Sequence, residues 1–150
     1  MNASTAKPAV PWHYWLIALV SLLWNAFGGY DYVMTRMHNM AYLDSATGGK
    51  GAALIAWLDS TGVLVQVGWP LGVWASVLGS VLLLLRSRHA AMAFLVSLAG
   101  AALSMGVERV NGIPPELDSG AIKVMNLVIL GAIVVQWWYA RRAADKGYLA

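Results

Sequence analysis

Cysteine is absent from all 150 residues. No disulfide can therefore staple an extramembrane loop, and no thiolate is available to bind a metal or attack a substrate. Charge is scarce as well: Asp, Glu, Lys and Arg make up 11% of the chain, against about 25% in an ordinary soluble domain. So little polar surface cannot keep a chain that is 59% hydrophobic dispersed in water. Other signatures are missing too. There is no nucleophile–base pattern, glycine-rich phosphate loop or paired-carboxylate spacing, so an enzyme is not expected, and neither is a cofactor. The net charge of +3 is not gathered into a basic patch, which excludes nucleic acid as an expected partner. No internal repeat is visible, so an inverted-repeat transporter has no basis.

What the chain does have is long runs without charge. From Pro8 to Tyr30 no Asp, Glu, Lys or Arg occurs, and at ~1.5 Å per residue that run covers roughly 34 Å, enough to cross a ~30 Å hydrocarbon layer. Comparable runs lie between Asp59 and Arg86, between His89 and Glu108, and between Lys123 and Arg141. The expected fold is an all-α membrane protein: one domain over 1–150, with four transmembrane helices in a bundle at about 12–34, 62–85, 89–108 and 121–141. The first run lacks a small-x-small cleavage site and exceeds a usual signal core, so it reads as a retained helix. Residues 35–61 form the one long loop, in which GAALIAWLDS is too short to span and reads as an interfacial or re-entrant helix. Pro70 should kink the second span.

Four spans put both termini on one side. Lys7, Arg86, Arg88, Arg141, Arg142 and Lys146 fall there, against Arg36, Lys50, Arg109 and Lys123 on the other side with six of the seven acids. This bias places both termini in the cytoplasm of a bacterium, with the protein in the inner membrane. Trp12, His13, Tyr14 and Trp15, and Trp137, Trp138 and Tyr139, would anchor the inner interface.

Given that orientation, polar side chains fall in the outer half of every span: Asn25, Asp31 and Tyr32, Gln66, Ser104 and Glu108, and Asn126. Intramembrane polar residues face bundle interiors and mark pathways, so these residues could line a substrate-binding vestibule beneath the first loop. The competing reading is plainer. Asp31 and Glu108 mark the outer interface, while Asn25 and Asn126 bond one another as packing glue. Gln136, Ser76, Ser80 and Ser97 are the polar positions deeper in. Gly68, Gly72 and Gly79 on the second span, and Ser97, Gly100 and Ala101 on the third, are close-approach faces. Packing within the chain is their expected use, with a homo-oligomer or another membrane protein as the alternative partner beside the lipid bilayer. Met34, Met37, His38 and Met40 offer thioether and imidazole ligands suited to copper(I), set against the common use of Met as a gap-filler. His13 and His89 read as interface anchors rather than metal or haem ligands.

The runs LLWNAFGGYDYVMT, GVWASVLGSVLLLLRSR and AFLVSLAG resemble a group of small four-span bacterial membrane proteins, some of which bear the label sugar transporter. The resemblance covers nearly the whole chain and is strongest over Leu23-Trp24-Asn25, Tyr30-Asp31-Tyr32 and Trp74 to Arg86. It implies an inner-membrane four-helix fold. It carries over no catalytic or substrate residue, and the Met cluster is not part of the shared pattern. Three functional classes follow: a non-enzymatic accessory or structural subunit, a small-solute carrier, and a copper(I)-handling protein.

Overall fold

A computed structural model describes residues 9–150; Lys7, counted above toward the orientation, lies outside them. The chain is all-α, with elements α1 (Trp12–Arg36), α2 (Met40–Thr47), α3 (Gly51–Ser60), α4 (Val63–Leu84), α5 (Ala90–Asn111) and α6 (Gly120–Asp145). Four of them, α1, α4, α5 and α6, are long and apolar enough to cross a membrane, which makes this a multi-pass membrane protein. In the bundle α1 packs on α4, α4 on α5 and α5 on α6. One end carries the start of α1, the end of α6 and the α4–α5 turn (the terminal end). The other carries α2 and α3 (the hairpin end).

Helix boundaries follow from local chemistry. α1 runs on to Arg36, past the expected limit at 34, and stops in a double hydrogen-bonded cap. His38 N–H donates to Thr35 O at 3.1 Å and Asn39 N–H to Met34 O at 3.1 Å, with His38 in the left-handed region at φ 52°. That is a Schellman motif built without glycine. The same motif closes α4, with Arg86 at φ 57° and Ser87 N–H reaching Leu82 O at 2.8 Å. Pro70 lies inside α4, which continues through it; the ring leaves the Gln66 carbonyl without its usual amide partner. Ser119 caps α6, accepting from Ile122 N–H at 3.3 Å. α6 continues past 141 and ends at Asp145 in the same double hydrogen-bonded cap, with Gly147 left-handed at φ 73°. There Gly147 N–H donates to Ala144 O and Tyr148 N–H to Ala143 O, both at 2.9 Å. Within its last turns Arg141 and Arg142 lie over Trp137 and Trp138, at 5.4 and 5.0 Å from the ring centroids. Their charged heads can reach the interface while the helix continues.

The first loop holds two short helices where one was expected. α3 covers the anticipated GAALIAWLDS segment, and α2 precedes it. Asn39 caps α2 by accepting from Tyr42 N–H at 3.1 Å, and Gly48, left-handed at φ 66°, ends it. The pair closes tightly: a side chain at Gly51 would come within 2.8 Å of Asp44 Oδ1 and 2.9 Å of Leu43 Cβ. Lys50 Nζ donates to Glu116 O at 2.7 Å, which ties the hairpin to the α5–α6 connection.

The densest packing is between α4 and α5. A Cβ added at Gly72 would meet Ala101 N at 2.9 Å, and one at Gly100 would meet Gly72 N at 2.6 Å. Gly68 faces the Gly100 carbonyl, Gly79 faces the Phe94 ring, and Ser97 Oγ donates to Gly72 O at 2.6 Å. Without water, close backbone approach and interhelical hydrogen bonds are what hold helices together. The small faces of the two spans thus meet each other. At the terminal end all four long helices contribute to one apolar cluster that includes Tyr14, Ala18, Leu83, Phe94 and Ala140. Tyr14 donates its hydroxyl to Leu83 O, a carbonyl that also accepts the Arg86 N–H at 3.0 Å in the cap of α4. Residues 148–150 cover this end: Ala150 N–H donates to Arg86 O at 2.8 Å, and Arg88 N–H to Ala150 O at 3.0 Å. At the hairpin end the bundle is looser, since the buried residues of α6 are Ile133, Gln136, Ala140 and Ala143, all in its second half.

Candidate functional site

The residues singled out in the sequence occupy several separate environments. The most buried is at mid-bundle. Asn25, near the centre of α1, directs Nδ2 to Ser80 Oγ at 2.8 Å, Gln136 Oε1 at 3.1 Å and Ser76 O at 3.2 Å. Ser80 Oγ also donates to Ser76 O at 3.1 Å. An amide nitrogen has two hydrogens, so at least one of Asn25's three contacts is shared. The network joins α1, α4 and α6 at the depth where an unpaired amide would face hydrocarbon. Asn25 thus bonds to Gln136, not to Asn126, which is half-buried nearer the hairpin end of α6.

A second cluster lies where α1 ends beside the start of α4. The Arg36 guanidinium sits 5.3 Å from the Trp69 ring centroid and 5.5 Å from that of Tyr32. Its Nη2 donates to Gln66 Oε1 at 2.6 Å. Gln66 is fixed in turn by Nε2 donating to Leu58 O at 2.7 Å and Thr61 Oγ1 at 2.9 Å. Tyr32 stacks edge-on against Trp69 at 4.8 Å. Gln66 and Tyr32 therefore dock α3 and α4 onto the end of α1. Arg36 and Trp69 were not singled out in the sequence. The signal was available: they flank Tyr32 and Gln66 by three to four residues, one helical turn.

Asp31 belongs to a third environment. Its Oδ1 accepts from the Tyr42 hydroxyl at 2.7 Å, joining α1 to α2. Burial and this carboxylate together push the Tyr42 pKa up to about 12, because both oppose forming a phenolate beside a negative charge. The Met residues have unlike surroundings. Met34 Sδ accepts from Asn39 Nδ2 at 3.5 Å, Met37 and His38 are exposed in the turn, and Met40 packs beside Gly51. Among the described residues, no group of three His, Cys, Asp or Glu is placed to hold a metal ion.

The fourth environment is an open cleft of about 590 Å³ at the hairpin end, between the last turn of α3 and the end of α5. Its walls include Trp57, Thr61, Glu108, Asn111, Ile113 and Pro114. Gly112 shapes it: at φ 86°, ψ 138° it ends α5 in a conformation natural only to glycine and turns the chain into Ile113-Pro114. Ser104, one turn earlier on α5, donates to Glu108 Oε1 at 2.9 Å. Glu108 Oε2 has no hydrogen-bond partner among the described residues, and it is not sealed from solvent. No ion pair to Glu108 exists among them either. Of the proposed vestibule residues, only Glu108 lines this cleft. Asn25, Asp31, Tyr32, Gln66 and Asn126 do not, and Ser104 reaches it only through its bond to Glu108. Trp57 and Asn111 went unnoticed because neither breaks a pattern: one lies in an apolar helix and the other at a helix end.

The chain matches no protein-family model, no curated protein and no solved structure.

Proposed function

We propose that this chain is a non-enzymatic accessory or structural subunit of the bacterial cytoplasmic membrane, with both termini inside. The observation that carries the reading is the use made of intramembrane polar groups. Asn25, Ser80 and Gln136 bond to one another across helices, and Ser97 bonds to the α4 backbone. Groups committed to partners within the bundle hold its shape and are not free to coordinate a passing solute. The basic residues Arg86, Arg88, Arg141, Arg142 and Lys146 at the terminal end support its cytoplasmic placement. Purification in mild detergent after in-membrane crosslinking tests the role. A membrane protein partner at fixed stoichiometry is expected, and a monodisperse homo-oligomer without a companion overturns it.

A second reading, a small-solute carrier, is favoured by one observation, the cleft bearing Glu108. If it holds, Glu108→Gln abolishes uptake into proteoliposomes while the protein still inserts. Unchanged flux removes it.

A further inference from the structure

Glu108 raises a problem of charge. A carboxylate at the edge of the hydrocarbon layer is costly unless a counter-charge or several donors balance it. Here Oε1 has the Ser104 hydroxyl, Oε2 is open, and no Lys or Arg pairs with it among the described residues. The carboxylate lines the same cleft as the Trp57 indole and the apolar Ile113 and Pro114.

We propose that this cleft binds a small organic cation of the alkylammonium type, with Glu108 supplying the counter-charge and Trp57 the aromatic surface. The chemistry selects this class over others. A neutral polyol would leave the carboxylate uncompensated. An inorganic divalent ion needs six or more oxygen ligands, or a cluster of carboxylates, and no such cluster exists among the described residues. An alkylammonium needs only one carboxylate, and its methyl groups are attracted to an aromatic ring such as the Trp57 indole and to the apolar Ile113 and Pro114. These share the cleft with the polar Ser60, Thr61 and Asn111. The cleft is large enough, since pockets for small ligands begin at about 300 Å³. The inference deepens the carrier reading by naming a ligand class, but it concerns binding and does not require flux.

Choline and tetraethylammonium, titrated calorimetrically into the full-length protein in lipid nanodiscs, test it against 3,3-dimethylbutan-1-ol, the uncharged isostere of choline. Saturable binding of one cation per chain is expected, with the isostere weaker by about tenfold or more. Glu108→Gln should weaken choline by about tenfold, Trp57→Leu by about fivefold, and Asp59→Asn, an exposed carboxylate outside the cleft, not at all. Equal binding of choline and its isostere, or no saturable binding of either cation, overturns the proposal. So does a loss in Asp59→Asn equal to that in Glu108→Gln, which would indicate surface charge alone. Should Glu108→Gln fail to fold, unchanged affinity in Trp57→Leu overturns it. Cation binding without proteoliposome flux keeps the site and removes the carrier. Flux of an uncharged solute without cation binding does the reverse.

Discussion

Asn25 Nδ2 lies 3.1 Å from Gln136 Oε1, and this contact joins the first and last spans directly at mid-bundle. The two residues are 111 positions apart in sequence. Both are nearly sealed, at 5% and 8% exposure. The bond matters because α6 leans on the rest of the bundle with few buried residues, and Gln136 is the polar one among them.

A double-mutant cycle with Asn25→Ala and Gln136→Ala should give a coupling of about 0.6 kcal/mol, and no more than about 1.7 kcal/mol, since membrane hydrogen bonds also find partners in the unfolded state. Asn25→Ala alone should cost more than Gln136→Ala, because it also deprives the Ser80 hydroxyl and Ser76 carbonyl of a donor. Reversible unfolding in bicelles checks both the coupling and the order.

The α4–α5 seam should be intolerant of a single methyl group. Gly100→Ala places a Cβ 2.6 Å from Gly72 N, and backbone cannot rotate aside as a side chain can. The expected loss is about 1–3 kcal/mol. Gly106→Ala on the same helix meets nothing within 4 Å and should be neutral or stabilising by up to about 1 kcal/mol. Equal effects at the two positions in thermal unfolding would contradict the seam.

Arg36 should not be replaceable by Lys. The planar guanidinium lies against Trp69 and Tyr32 while donating to Gln66, and an ammonium cannot do both with the same geometry. Arg36→Lys should destabilise by about 0.5–2 kcal/mol and shift the emission of Trp69. An unaltered spectrum in a background with the other tryptophans replaced by Phe would count against the cluster.

Tyr42 gives a pH signature. Its pKa is raised to about 12 from an ordinary 10, so the neutral phenol is favoured in the folded state. Its contribution is complete below pH 10 and is lost as pH rises from 10 through about 12, because the unfolded chain releases that proton first. Tyr42→Phe should remove one late-titrating component from the ultraviolet phenolate titration. It should also speed amide exchange in α2, now without its bond to Asp31.

How much of this was legible in the sequence depends on what kind of signal carried it. The four spans were plain because hydrocarbon thickness sets a length and forbids charge, and both constraints act locally along the chain. α2 was hidden because its Asn39 cap lies in the run Met34 to Met40 that also looks like a metal site, while its stop at Gly48 is one of several adjacent small residues that equally suit a loop. The polar residues themselves were conspicuous, but their partners were not. Nothing local in Asn25 selects Gln136 over Asn126. That choice depends on the axial stagger of α1 against α6, which the α4–α5 seam and the turns determine. For the same reason the cleft gathers Glu108 with Trp57 and Asn111 rather than with Gln66, whose amide is held by Leu58 and Thr61.

The most direct test of the four-span bundle exploits the absence of native cysteine, since any introduced thiol reports alone. Single cysteines at Ser45, Ser119 and Ser87 are labelled in oriented vesicles with a membrane-impermeant maleimide, and one at Ala132 serves as a buried-span control. The account predicts that positions 45 and 119 are labelled from one side, position 87 only from the other, and position 132 from neither. Labelling of 87 and 119 from the same side, or free labelling of 132, would contradict it.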